Sequence, residues 1–163
     1  HFRRQRQMCI RDRMEASFEI LRKFEIPFEV KVTSAHRTPE ATHNFVTDAD
    51  DRGCAAFICA AGMAAHLAGA VSATTLKPVI GVPINGSLDG LDALLSTVQM
   101  PGGIPVATVA IGKAGARNAA YLAAQIIGVS DSTMHQRLIA ERAANAAAII
   151  AKDAALQEKL NNS

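Results

Sequence analysis

"AAFICAAGMAAHLAGAVSATTLKPVIGVP", residues 55–83, joins two short apolar runs through a stretch of helical character. The runs at 55–61 and 77–83 do not alternate strictly between apolar and polar residues, which is expected of parallel strands covered on both faces. Residues 63–75 between them are predicted to be helical. The stretch therefore predicts two parallel strands joined by a right-handed crossover helix.

Predicted strands and helices also alternate along the chain on both sides of this unit. Two further apolar runs, "FEVKVTS" (28–34) and "IPVATVAIG" (104–112), are predicted strands. Thr38 as N-cap and Pro39 at the first helical position start one of the remaining helices, and Ser130 or Asp131 caps the last. The predicted helices cover residues 39–51, 89–99, 113–128 and about 131–160. This order predicts an α/β fold with a doubly wound parallel sheet.

Length and composition indicate one globular domain, which we place at residues 14–163. The chain has 163 residues, of which 49% are hydrophobic, 4% are aromatic and none is Trp. Cys9, Cys54 and Cys59 do not have the spacing of metal ligands. Cys54 and Cys59 lie in or beside an apolar run, so burial of these two in a reducing, cytoplasmic protein is the favoured interpretation. A signal peptide is not expected, because no apolar stretch follows the basic N-terminal residues, and no apolar run in the sequence is long enough to cross a membrane.

Charge is distributed unevenly along the chain. The first 13 residues hold five Arg and one Asp, whereas the remaining 150 hold 12 basic and 14 acidic side chains. The body of the protein is thus mildly acidic. A nucleic-acid partner is not expected, although Arg3 to Arg13 leave it as the weakest alternative.

Polar side chains follow the first predicted strand at the edge where such folds bind ligands. Arg37 and Ser34 are placed to hold a phosphate near a helix N-terminus, and the alternative for Arg37 is an ion pair with Glu40. His36, beside a cation, is expected to be a neutral imidazole able to accept a proton. His66 follows the next strand and is expected either to line the same pocket or to serve as a capping or buried structural residue.

Several common cofactor sites are excluded by pattern. "AIGKAGARN" fails the phosphate-loop motif because Ala114 follows Lys113, and no G-x-G-x-x-G motif follows a strand. The strand at 55–61 ends without an Asp that could accept a phosphoryl group. No cluster of His, Cys and carboxylates suggests a metal, so we expect a site without metal or organic cofactor.

"SAHRTPE" (34–40), "AAGMAAHLAG" (60–69) and "VQMPGGIPVAT" (98–108) together resemble the phosphoribosylaminoimidazole carboxylase catalytic subunit family, in its branch of bacterial N5-carboxyaminoimidazole ribonucleotide mutases. The resemblance runs from about Met14 to about Arg142. It implies a flavodoxin-like three-layer α/β/α sandwich with a long C-terminal helix, assembled as a cytoplasmic homo-octamer. It also implies an isomerase of de novo purine biosynthesis that is coupled to an ATP-dependent carboxyaminoimidazole ribonucleotide synthetase.

The resemblance assigns roles to individual residues. His36 matches the family's general acid and base, and Ser34 and Arg37 match residues that hold the phosphate of the ribonucleotide substrate. Ala61, Gly62, Met63, His66 and Leu67 match the segment that closes over the base and the migrating carboxylate.

Residues 1–13, "HFRRQRQMCIRDR", depart from the family pattern, which begins with a strand and a G-S-x-S-D loop. Five Arg in 13 positions are incompatible with a buried strand. We expect this segment to be non-native and the first strand of the fold to be missing. Because the loop is missing, an inactive truncated subunit of the same family stays open as an alternative. A carboxylase that uses CO2 directly is the other alternative within the family.

Overall fold

A computed structural model describes residues 2–86 and 88–163, with side chains described from Arg13 onward, apart from residue 87. The elements alternate between helices and strands for most of the chain. In order they are α1 (Phe2–Lys23), α2 (Pro39–Asp51), β1 (Phe57–Gly62), α3 (Leu67–Ser72), β2 (Val79–Ile84), α4 (Leu91–Val98), β3 (Ala107–Thr108), α5 (Lys113–Gly128) and α6 (Ser132–Asn161).

The three strands form a parallel sheet in the order β1-β2-β3. β2 is central and all six of its residues are buried, which explains its unbroken apolar sequence. It pairs along its whole length with β1, from Phe57 beside Val79 to Gly62 beside Ile84, and over two residues with β3. The carboxyl ends of β1 and β2 therefore lie side by side.

Helices cover both faces of the sheet, which gives three layers. On one face, Val46 of α2 and Val71 of α3 pack against Phe57 and Cys59 of β1. On the other face, the Ala-rich side of α5 packs against Ile80, and α1 packs on α5. Ala116, Ala119 and Ala123 are the residues of α5 that are buried against this face.

Helix α6 begins at a capped N-terminus and continues far beyond the body of the protein. The side chain of Asp131 accepts a hydrogen bond from the Met134 amide at 2.9 Å. Met134 is buried, whereas every residue from Arg142 to the end of the helix is exposed. No helix in the described part of the chain combines the length and the apolar character needed to span a membrane.

The predicted strands agree with the structure at 55–61 and 77–83, but residues 104–112 form a strand of only two residues. The prediction of a strand at 28–34 is wrong. Val30 and Val32 in that segment are exposed, and no strand in residues 2–86 and 88–163 pairs with it. An alternating pattern forms a strand only where a neighbouring backbone edge completes its hydrogen bonds.

The predicted helices are confirmed at 39–51 and 113–128, and the last helix begins one residue after its predicted cap, Asp131. Two others are shorter than predicted. Residues 63–75 contain only α3, and the stretch 89–99 contains α4, whose N-cap is Gly90 with φ +86°. Of the predicted non-native segment, residues 2–13 are part of α1 and residue 1 lies outside the described residues. The Arg13 guanidinium donates to the Asn85 carbonyl oxygen at 3.0 Å.

Candidate active site

A tight turn just before α2 holds Ser34, His36 and Arg37. The Ser34 Oγ accepts a hydrogen bond from the Arg37 amide at 3.1 Å, and the Thr38 Oγ1 accepts one from the Ser34 amide at 2.9 Å. The Thr38 amide in turn donates to the Ser34 carbonyl oxygen at 2.9 Å. Thr38 is the N-cap residue, as predicted, but its hydroxyl bonds back to Ser34 and not to a helix amide. These bonds fix the backbone conformation of residues 34–38, which positions the side chains of His36 and Arg37.

His36 and His66 form a direct side-chain contact. The His36 Nε2 and the His66 Nδ1 lie 2.8 Å apart, with the two rings nearly perpendicular. One of these nitrogens must carry the proton and the other must accept it, so the hydrogen bond exists only while at least one ring is neutral. His66 is the N-cap residue of α3 but makes no capping bond with its side chain. The structure thus brings together two imidazoles that are 30 residues apart in sequence.

The segment from Ala61 to Leu67 turns the chain from β1 into α3. Ala61 and Gly62 end β1 beside Pro83 and Ile84. Met63 has φ +57°, a left-handed conformation that is costly for a residue with a side chain. This sharp turn directs the following residues back over the sheet edge. It places His66 against His36, while Leu67 packs partly into the core.

Arg37 is exposed and forms no ion pair with any carboxylate in the described parts of the chain. The alternative pairing with Glu40 is therefore not observed. Hydrogen bonding to Arg52 holds the pKa of Glu29 below its usual range, and burial raises the pKa of the Cys59 thiol to about 12.

Asn85 is a polar residue at this edge that sequence reasoning did not single out. It follows the buried strand β2, and a Cβ added at Gly112 would lie 3.4 Å from its Oδ1. Gly112 directly precedes α5, so Asn85 lies where β2 and α5 approach each other. The sequence signal that could have identified Asn85 is its position directly after the apolar run of β2, at the carboxyl end of the strand.

The arrangement is suited to moving protons on an anionic small molecule. It combines two imidazoles in contact, an exposed guanidinium and a serine hydroxyl at one edge of a parallel sheet. Among the described residues, no three His, Cys, Asp or Glu side chains come together as metal ligands. The chemistry that these side chains can supply is acid–base catalysis together with electrostatic binding.

Comparison with known proteins identifies the family. Residues 11–161 match the family described as AIR carboxylase. The N5-carboxyaminoimidazole ribonucleotide mutase of Mycobacterium tuberculosis (strain ATCC 25618 / H37Rv) is 52% identical over 138 residues, which cover 84% of this chain and 78% of that protein. The protein of the same name from Escherichia coli (strain K12) is 52% identical over 126 residues, covering 77% and 75% respectively.

A solved structure confirms the predicted fold class. Treponema denticola PurE superposes with a TM-score of 0.81 at 28% sequence identity, over 89% of this chain and 90% of that chain. Sequence and structure therefore agree that the chain belongs to the AIR carboxylase family.

Proposed function

We propose that this chain is an isomerase of purine biosynthesis that converts N5-carboxyaminoimidazole ribonucleotide to 4-carboxyaminoimidazole ribonucleotide. The proposal is supported by its relatives at 52% identity, which carry the name N5-carboxyaminoimidazole ribonucleotide mutase. The single structural observation that carries it is the contact between His36 and His66 at the carboxyl edge of the sheet.

The reaction needs one group that first gives a proton and then takes one back. Breaking the bond between the exocyclic nitrogen and its carboxylate releases CO2, and the nitrogen takes up a proton. Ring carbon 4 then attacks the CO2 and afterwards loses its own proton. We assign both transfers to His36, which in this order of steps starts as the imidazolium and not as the neutral imidazole expected from the sequence. Donating the proton to the exocyclic nitrogen and taking one from ring carbon 4 returns it to its starting state.

Ser34 and Arg37 are proposed to hold the phosphate of the ribonucleotide. The Ser34 oxygen accepts the Arg37 amide, which leaves the hydroxyl hydrogen free to donate to a phosphate oxygen. The exposed Arg37 guanidinium offers paired N–H donors whose geometry matches phosphate oxygens.

The segment formed by Ala61, Gly62, Met63, His66 and Leu67 is proposed to close over the base and the migrating carboxylate. Released CO2 must be retained until ring carbon 4 attacks it, so the site must exclude water. The proposed reaction uses neither a metal nor an organic cofactor. His66 would orient the His36 ring through their hydrogen bond while also contacting substrate.

We further propose that the protein works as a homo-octamer in the cytoplasm and receives its substrate from an ATP-dependent synthetase. Support for assembly comes from α6, which exposes large apolar side chains that a monomer leaves in water. These are Ile139, Ile149, Ile150, Leu156 and Leu160. The support for coupling is chemical, since an N-carboxylated amine readily loses CO2 and an ATP-dependent carboxylating enzyme would keep it supplied.

We also propose that residues 1–13 are foreign to the domain. Their five Arg residues are unlike the apolar first strand that the family resemblance implies. Sequencing the genomic locus upstream of Met14 tests this, because in-frame codons for the same 13 residues would contradict it.

The test of the function is isomerisation of N5-carboxyaminoimidazole ribonucleotide by this chain, with chelator present and ATP absent. We expect turnover in the parent and in His43→Asn, since His43 is exposed on α2 and outside the site. His36→Asn should lose at least about 100-fold in kcat because it cannot transfer a proton at neutral pH. Circular dichroism checks that both variants fold.

Two other outcomes would replace the proposal. Turnover of aminoimidazole ribonucleotide with free CO2 in preference to the N-carboxylated substrate would indicate the direct carboxylase. Binding of the ribonucleotide by the folded parent without any turnover would indicate an inactive subunit of the same family.

A further inference from the structure

Residues 27–33 lead into the turn that carries His36. Within the described residues, none of their amides or carbonyl oxygens takes part in a backbone hydrogen bond. A strand inside a sheet is held by such bonds along its length, whereas this segment is not. Its position therefore depends on the contacts of its side chains.

Two neighbouring side chains anchor the beginning of the segment. The Phe28 ring stacks on Phe18 of α1, with the ring centroids 5.2 Å apart. The Glu29 carboxylate binds the Arg52 guanidinium through both oxygens, at 2.6 and 2.8 Å. In the part of the chain that the structure describes, no side chain of residues 30–33 forms a hydrogen bond or an ion pair. Glu29 is thus the last side chain held by such a bond before the turn.

Arg52 is itself held by a helix that is packed into the core. It directly follows α2, whose Val46 and Ala49 are buried in the cluster shared with β1 and α3. Its Nε donates to the Asp48 carboxylate at 2.9 Å, and its two terminal nitrogens donate to Glu29. Exposed ion pairs usually contribute little, but bidentate geometry within a network is the exception. Arg52 thereby ties the unpaired segment to a fixed helix.

The ion pair closes the far end of a hairpin that this segment forms with α2. Hydrogen bonds between Ser34 and Thr38 close the near end, at the turn. The 13 residues of α2 measure about 20 Å along the helix axis. Residues 29–34 can span roughly 17 Å when extended. Because the two lengths are similar, bonds at both ends can hold the segment alongside the helix.

We propose that Glu29 and Arg52 are positioning residues, whose ion pair holds the turn that presents His36 to His66. This inference rests on the proposed isomerase function. Without the pair, residues 29–33 would gain conformational freedom, and the turn would follow their motion because Ser34 continues the same segment. His36 would then contact His66 for a smaller fraction of the time, and kcat would fall with that fraction.

The test uses the full chain and compares two substitutions of a carboxylate by an amide. Glu29→Gln removes the charge that binds both terminal nitrogens of Arg52. Asp48→Asn is the matched control, because it removes the other carboxylate beside the same guanidinium and leaves the bonds to Glu29. Arg52→Gln and the double variant with Glu29→Gln complete a double-mutant cycle.

We expect kcat for isomerisation to fall about tenfold in Glu29→Gln and in Arg52→Gln, and no further in the double variant. Asp48→Asn should stay within about twofold of the parent. The urea midpoint of Glu29→Gln should match that of the parent, because the pair is exposed and its loss frees only a local segment.

Carbethoxylation by diethyl pyrocarbonate measures the contact between His36 and His66 without turnover. The reagent attacks an unprotonated imidazole nitrogen, whereas the contact occupies the His36 Nε2. At about pH 8 a released histidine is neutral and reactive. Mass-spectrometric mapping should therefore show His36 reacting at least about fivefold faster in Glu29→Gln than in the parent, relative to the exposed His43. Asp48→Asn should match the parent.

The proposal is overturned if Glu29→Gln keeps both the kcat and the His36 reactivity of the parent. It is equally overturned if Asp48→Asn loses as much kcat as Glu29→Gln, if the losses add in the double variant, or if a lower urea midpoint accompanies them. A parent without isomerase activity would refute the proposed function, and the reactivity of His36 would still decide whether the ion pair positions the turn.

Discussion

Adding one methyl group at Gly115 should destabilise the protein although Ala is the better helix former. Gly115 is the third residue of α5, where its Cα approaches the backbone of Ala110. A Cβ built at this position collides with the Ala110 carbonyl oxygen and lies 2.6 Å from the carbonyl carbon. The obstruction is backbone, so it cannot be relieved by rotating a side chain.

Two opposing effects set the magnitude. Replacing Gly by Ala inside a helix stabilises it by about 1 kcal/mol. Overpacking against surroundings that cannot rearrange costs up to about 3 kcal/mol. The net result for Gly115→Ala is a loss of about 2 kcal/mol in the free energy of unfolding.

Gly69→Ala provides a matched control. Gly69 is also the third residue of its helix, α3, and a Cβ there would meet the Met100 Sδ at 3.3 Å. That neighbour is a flexible side chain that can move by a few tenths of an ångström. The control should therefore range from neutral to about 1 kcal/mol more stable than the parent.

Urea unfolding followed by far-UV circular dichroism measures both variants. The midpoint should fall for Gly115→Ala and stay or rise for Gly69→Ala, with similar m-values in all three proteins. If Gly115→Ala raises the midpoint as Gly69→Ala does, helix propensity outweighs the backbone collision and the reasoning is refuted. If Gly69→Ala lowers the midpoint as much as Gly115→Ala does, the loss is not specific to the collision with Ala110 and the reasoning is likewise refuted.

Two further predictions concern titrating groups. Burial raises the pKa of the Cys59 thiol from 9.0 to about 12. At about pH 8, iodoacetamide should therefore label Cys59 only after the protein is unfolded in urea, and peptide mapping measures this labelling. Labelling of Cys59 in the native protein would contradict the prediction. Since this folded-state pKa is raised, its contribution to stability is complete below about pH 9 and is lost as the pH rises towards 12. Hydrogen bonds from Lys23 and Tyr121 lower the pKa of Glu141, so the stability from this contact should be complete above about pH 4.5 and decrease as the pH falls through the folded-state pKa. Glu141→Gln should flatten the dependence of the urea midpoint on pH in that acidic range, and an unchanged slope would show that the carboxylate contributes nothing.

The sequence by itself determined those helices and strands that are stabilised by interactions among neighbouring residues. The Pro39 start of α2, the Asp131 cap of α6 and the unbroken apolar run of β2 each carry a signal in a few consecutive residues. The carboxyl edge was also predictable as the ligand-binding edge, because parallel strands joined by helices bring their ends together. The motif around His36 further identified the family.

Only the tertiary structure decided which backbone edges pair and which side chains meet. Residues 28–34 have a strand-like pattern, yet they remain unpaired because a strand needs a neighbour that the local pattern does not specify. The contact between His36 and His66 joins residues that are 30 positions apart, and it depends on the left-handed turn at Met63. Secondary structure follows from short-range sterics and burial, whereas pairing and site geometry arise from contacts between distant segments that the whole fold positions.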